Sequence, residues 1–160
     1  MVDVKEAGPE AVADLVPLVL EMERFYGSDS DLDATLAETR LRAALPQPPD
    51  GILLVARSSE PLGFAMLYRM FPGRDLEPMW YLKELFVAAR GRGQGVGEGL
   101  MEAAAAAVLR RGGRRLEFTT GSDNAAAQRF YRRLEIPVVG KVFYRLEDKG
   151  LERLADLSPV

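Results

Sequence analysis

The sequence predicts a mixed α/β domain, a largely antiparallel twisted sheet with helices on both faces. Three observations predict it. Segments of helical period at 11–26, 33–45, 96–111 and 124–134 alternate with strand-like runs at 2–6, 52–57, 62–71, 80–88, 114–120 and 138–146. Three of those runs, 52–57, 62–71 and 80–88, follow one another across turns too short for a crossover, which demands antiparallel pairing. The chain has 160 residues and a formal net charge of -3, enough for one domain with a buried core.

Each element has a local reason. Residues 2–6 alternate as a first strand does. Pro9 stands where a helix can begin, because its fixed φ suits the first turn. Residues 11–26 then carry apolar side chains at helical spacing until Gly27 ends them. The second helix, 33–45, is closed by Pro46-Gln47-Pro48-Pro49-Asp50-Gly51. Ser58-Ser59-Glu60-Pro61 joins 52–57 to 62–71 as a hairpin, and Pro72-Gly73-Arg74-Asp75 turns the chain toward 80–88. The alanine-rich helix 96–111 is strong by propensity and stops at Gly112-Gly113. Ser122-Asp123-Asn124 offers a cap for the helix 124–134. Pro137 breaks the chain before the last strand, 138–146, and 151–157 reads as a short terminal helix. With no repeat and no linker, residues 1–160 read as one domain.

Composition narrows the chemistry. The chain has no Cys and no His. That excludes disulfides, thiol nucleophiles, Ser-His-Asp triads and the usual zinc ligands, so no metal is expected. Acid-base work falls to Asp, Glu, Tyr, Lys or water. No apolar run reaches the length of a membrane span, and Met1-Val2-Asp3-Val4-Lys5-Glu6 lacks the pattern of a signal peptide, so a cytoplasmic location is expected. The acidic balance and the lack of a basic-aromatic surface pattern argue against a nucleic-acid partner.

The segment Arg90-Gly91-Arg92-Gly93-Gln94-Gly95-Val96-Gly97 joins a predicted strand to a predicted helix. A glycine turn feeding a helix N-terminus is an anion site. Free N–H groups converge there, the helix dipole adds about half a positive charge, and glycine accepts the left-handed backbone that this requires. The anion can be asked by elimination. A nucleotide-triphosphate loop needs Lys and then Ser or Thr after its last glycine, but Gly97 is followed by Glu98 and Gly99. The dinucleotide pattern Gly-x-Gly-x-x-Gly fails in every register, its last place falling on Val96, Glu98 or Leu100. Arg/Gln-x-x-Gly-x-Gly remains, matched by Arg92, Gly95 and Gly97.

That pattern resembles the pyrophosphate loop of the GNAT N-acetyltransferases. The likeness extends to Asn124-Ala125-Ala126-Ala127-Gln128-Arg129-Phe130-Tyr131, similar to the family's Asn-x-x-Ala-x-x-Phe-Tyr. It implies a sheet splayed between its fourth and fifth strands, with acetyl-CoA as co-substrate. The cofactor residues it implies are Arg92, Gly93, Gln94, Gly95, Val96 and Gly97 in the loop, Asn124 and Tyr131 in the second motif, and Leu85, Phe86 and Val87 on the preceding strand. On that strand, free backbone groups of Leu85 and Val87 would pair with the pantetheine arm as an added strand does. Around Gly63–Tyr68 and Tyr81–Val87 the sequence looks like the polyamine and thialysine N-acetyltransferase branch. It departs there in having Lys83 where that branch tends to carry an acid, and Leu134-Glu135-Ile136 in place of Leu-Gly-Phe.

The resemblance implies transfer of an acetyl group to a primary amine of a small molecule, by direct attack in a ternary complex. A lysine-like amine is neutral in only about one molecule in 10³ at pH 7, so a base helps. Glu84 is the candidate base and Tyr131 the candidate acid that protonates the departing thiolate. Glu21, Tyr26 and Glu84 are the candidate acceptor residues, the first two on the helix that walls the acceptor site in the family; Glu23 shares that helix. Acetylation of a protein lysine or N-terminus, and a regulatory module that binds CoA without turnover, remain alternatives. The resemblance also admits a homodimer, although no segment of the sequence marks an interface.

Overall fold

The computed structural model describes residues 2–28 and 30–156. They form two compact units, one running to Gly121 and one starting at Ser122. The first contains β1 (Asp3–Ala7), α1 (Val12–Phe25), α2 (Ala34–Ala44), β2 (Gly51–Arg57), β3 (Pro61–Met70), β4 (Met79–Val87), α3 (Val96–Arg110) and β5 (Leu116–Glu117). The strands make one sheet in the order β1-β2-β3-β4-β5. Pairing is antiparallel from β1 to β4 and parallel between β4 and β5.

Helix starts follow from local chemistry. A single tight turn, Pro9–Ala11, leads into α1 with proline at its first position. Asp33 caps α2, its carboxylate accepting from Leu36 N at 2.8 Å.

The sheet buries both faces because its central strands are apolar at odd and even positions alike. On one face Leu53, Val55, Phe64, Met66 and Phe86 pack against Val12, Leu15, Leu18 and Met22 of α1, which recur at helical spacing. On the other face lie Ile52, Leu54, Ala65, Leu67, Trp80 and Leu82, all buried. There α3 lies across the strands with Val96, Leu100, Ala104, Ala107 and Val108 buried. Gly113 is needed just past α3. A Cβ there would fall 2.7 Å from Trp80 Cδ1 and 2.6 Å from Val108 Cγ1.

Two irregularities prepare the site. The β3–β4 register shifts so that Met66 faces Glu84 and Leu67 faces Leu82, which leaves Lys83 as the extra residue of a bulge. Pairing between β4 and β5 is confined to Trp80–Leu116 and Tyr81–Glu117. The strand expected over 114–120 is therefore reduced to two residues. Beyond them the two strands diverge, which is the splay between the fourth and fifth strands.

The second unit contains α4 (Ala125–Arg133) and α5 (Lys149–Ala155). Asn124 caps α4 by accepting from Ala127 N at 3.0 Å. The helix ends in a paired closure: Glu135 N donates to Arg132 O at 3.1 Å and Ile136 N to Tyr131 O at 3.2 Å. That closure holds Glu135 at φ 57, a conformation suited to glycine. A side chain there costs about 1 kcal/mol relative to glycine. The strand expected over 138–146 is not formed within this unit, because a strand needs a partner ladder and two short helices offer none. The terminal helix expected over 151–157 begins earlier, at Lys149; Leu157 lies outside the described residues.

Candidate active site

The glycine turn has the geometry of an anion cradle. Gly93 and Gly95 take φ of 74° and 75°, left-handed values that L side chains avoid. Gly95 is the N-cap of α3, and no side chain caps it. The first i→i−4 bond of α3 runs from Gly99 N to Gly95 O at 2.9 Å. The amides of Val96, Gly97 and Glu98 precede it and have no acceptor inside the helix. No heavy atom lies within 4 Å of where a Cβ on Gly93 or Gly95 would stand, so backbone is what the turn presents. Such a corner suits a diphosphate.

The turn's side chains shape it. Gln94 Nε2 donates to Arg90 O at 2.6 Å. Arg92 Nε donates to Val87 O at 3.2 Å, and its guanidinium lies 4.7 Å from the centre of the Phe25 ring. Val96 is buried, which anchors the start of α3 in the core.

The end of β4 turns alternate backbone groups away from its neighbour. Ala88 N donates to Leu62 O at 2.9 Å, so Ala88 faces β3. Strand alternation then points Phe86 toward β3 and Leu85 and Val87 away from it, to the side where β5 has diverged. The Arg92 bond to Val87 O agrees with that direction. Phe86 differs from both: its ring is 3% exposed and packs 6.1 Å from that of Phe64. Its role is packing.

Next to this strand end, on the α1 face, the bulge gathers polar groups. Glu84 stands opposite Met66 and Tyr81 opposite Tyr68, and both Met66 and Tyr68 pack with α1 and its neighbours. Lys83 Nζ lies 2.7 Å from Glu84 Oε1. In a regular strand these adjacent side chains would leave on opposite faces; the bulge brings them together. The bond to Glu84 raises the Lys83 pKa and keeps its amine charged. Tyr26, at the end of α1, has its phenol pKa raised, first by burial and next by the Glu84 charge. Tyr68 is raised for the same two reasons in the same order, apart from a lowering by Lys83. Tyr81 Oη lies 3.1 Å from Thr119 Oγ1.

Among the residues singled out from the sequence, Tyr26, Glu84 and Arg92 come together here. Glu21 is engaged elsewhere. Its carboxylate accepts from Ala89 N at 2.7 Å and pairs with the Arg90 guanidinium at 3.3 Å, bracing the chain just before the glycine turn. Arg90 also donates to Pro61 O at 2.5 Å and pairs with Glu60 at 3.2 Å. Asn124 and Tyr131 belong to the second unit, where the Tyr131 ring packs edge-on to Phe130 at 5.1 Å. Nothing in the sequence pattern singles out Arg90, Phe25 or Tyr68, and Lys83 stands out there only as a departure from the family branch. A lone arginine or tyrosine carries no pattern; a lysine in an acid's place beside a strand end is the one signal available.

Comparisons with known proteins bear on the family and the fold. The family model for the Acetyltransferase (GNAT) family matches residues 16–135. The chain belongs to the GNAT acetyltransferase family. Members of this family generally use acetyl-CoA as co-substrate. An integron cassette protein from the mobile metagenome of V. cholerae is 30% identical, with a TM-score of 0.87 over 97% of this chain and 98% of that one. An aminoglycoside acetyltransferase from an uncultured soil metagenomic sample, solved with sisomicin, is 18% identical, with a TM-score of 0.73 over 91% of this chain and 97% of that one. A ribosomal-protein-alanine N-acetyltransferase from Brucella melitensis is 17% identical, with a TM-score of 0.70 over 92% of this chain and 100% of that one. At such identities the last two share the fold alone. The comparison with curated proteins gives no match. Among the described residues no helix is long and apolar enough to cross a membrane, and no group of three or more acidic residues is placed to hold a metal.

Proposed function

We propose that this GNAT protein is an acetyl-CoA-dependent N-acetyltransferase that modifies a primary amine of a small molecule by direct attack. One observation carries the reading: a left-handed glycine cradle follows a strand whose Leu85 and Val87 backbone groups face its open side, beside the Glu84 carboxylate. The cradle amides hold the diphosphate, and Leu85 and Val87 hold the amide-bearing arm as an added strand would be held. With no cysteine in the chain, the acetyl group has no thiol to visit on the protein. In the transfer the acceptor nitrogen bonds to the acetyl carbon and the C–S bond breaks. The amine gives up a proton to Glu84, directly or through water, and the sulfur takes one from Tyr131. Glu84 and Tyr26 are the acceptor-side residues of this reading. Glu21 supports it by holding the turn at Ala89 and Arg90.

The test is thiol release from acetyl-CoA with a panel of small amines and peptides, beside calorimetry of CoA binding. Turnover with small amines and none with peptides supports the reading; turnover with peptides alone replaces it by a protein acetyltransferase. CoA binding without any turnover replaces it by a regulatory module. Tyr131→Phe is expected to lower kcat by about 10²-fold with CoA affinity unchanged. Equal turnover in that variant removes Tyr131 from the acid role.

A further inference from the structure

The bulge that joins Lys83 to Glu84 also says what kind of amine this site takes. We propose that the acceptor is an aminocarboxylate, an amine one or two carbons from a carboxylate, with Lys83 as the residue that selects it. The inference rests on the amine-acetyltransferase reading above and specifies its substrate.

Charge balance is the first argument. Glu84, Arg92 and Lys83 all act on the Tyr26 hydroxyl, one acid and two cations. A diamine or polyamine would bring further positive charge into that neighbourhood. An acceptor bearing its own carboxylate is a zwitterion and adds no net charge.

Geometry is the second. Lys83 is the extra residue of the bulge, so its side chain shares the α1 face with Glu84 instead of pointing away from it. The two charges are 2.7 Å apart, with the Lys83 side chain 60% exposed and that of Glu84 28% exposed. An exposed pair of this kind is weakly held and readily exchanged. A ligand with an ammonium and a carboxylate a few ångströms apart can lie head-to-tail along it. Its nitrogen then meets Glu84, where the proton must go, and its carboxylate meets Lys83. One pair between side chains becomes two pairs to the ligand. A monoamine uses only Glu84 and strands the lysine charge.

The third argument is the setting. Tyr26, Tyr68 and Tyr81 surround the pair with ring surface and hydroxyls. They offer hydrogen bonds to a small polar molecule.

The experiment compares kcat/KM at saturating acetyl-CoA for matched acceptors: glycine and β-alanine, their methyl esters, the corresponding amines without the acid, and short diamines. The parent protein is expected to favour the free acids over both the esters and the plain amines by about tenfold to a hundredfold, the range of one charge-assisted contact. Lys83→Met should erase that preference, and Lys83→Glu should shift it to the diamines. Equal use of acids and plain amines, a preference for diamines in the parent, or an unchanged order in Lys83→Glu overturns the inference while leaving amine acetylation standing. No transfer to any amine in the set, with CoA still bound, overturns the underlying reading and this inference with it.

Discussion

Trp80 and Leu82 leave β4 on the side of α3 and are 2% and 3% exposed; Lys83 and Glu84, one turn of the pleat further on, leave it on the side of α1 and hold an ion pair at the surface. The same strand thus builds a sealed core on one face and a charged site on the other. The α3 face is closed by helix side chains, and packing at its end is tight enough that a Cβ on Gly113 would clash with Trp80 and Val108. The α1 face is closed as far as Phe64, Met66 and Phe86, and opens where α1 ends at Phe25 and Tyr26. What the contrast teaches is economy of means: one extra residue in the strand re-aims the charged side chains without disturbing the packing behind them.

Substitutions on the two faces should therefore fail in different ways. Trp80→Ala empties the α3 face and is expected to cost about 3–5 kcal/mol of stability in urea unfolding. A cost under 1 kcal/mol would mean that this face is not the rigid one. Glu84→Gln, only four residues away, should leave the unfolding midpoint nearly unchanged and lower kcat by about 10²-fold. Equal activity would take Glu84 out of the base role. Gly95→Val probes the corner between the faces. Nothing stands near its Cβ position, so any loss comes from forcing a branched side chain to φ 75. CoA affinity measured by calorimetry should fall about tenfold, the equivalent of 1–2 kcal/mol. The smallest effect belongs to the edge, where Glu6 on β1 meets Arg110 and Arg111 at the end of α3, each at 2.7 Å. The Arg111 guanidinium bonded to it holds the Glu6 carboxyl below its usual range. Its folded pKa lies under the unfolded one, so its contribution is present above the unfolded pKa and lost as pH falls through the folded one. Glu6→Gln should cost under about 1 kcal/mol near pH 7 and progressively less as pH falls below the usual carboxylate range, read from unfolding curves across that range.

Much of this was legible before any coordinates. The left-handed backbone at Gly93 and Gly95, the cap at Asn124, and the β2–β3 hairpin all arise within a few residues of chain, where side-chain identity and backbone geometry are directly linked. The strand expected over 138–146 was not, because apolar alternation shows that a segment can pair and says nothing about a partner. The helix end expected at Leu134 is where α4 is capped, although Glu135 takes the left-handed position that glycine would usually fill.

By itself, the amino-acid sequence determined that a glycine-rich turn precedes the alanine-rich helix, and that any acid-base chemistry of its side chains must come from carboxylates, phenols and amines. Only the tertiary structure decided that Lys83 stands beside Glu84 and that Glu21 braces the Ala89–Arg90 turn. Those facts depend on a register shift against β3 and on a helix packed 68 residues earlier in the chain. Local sequence specifies conformation, but which side chains share a face is settled by the partners that fold against it.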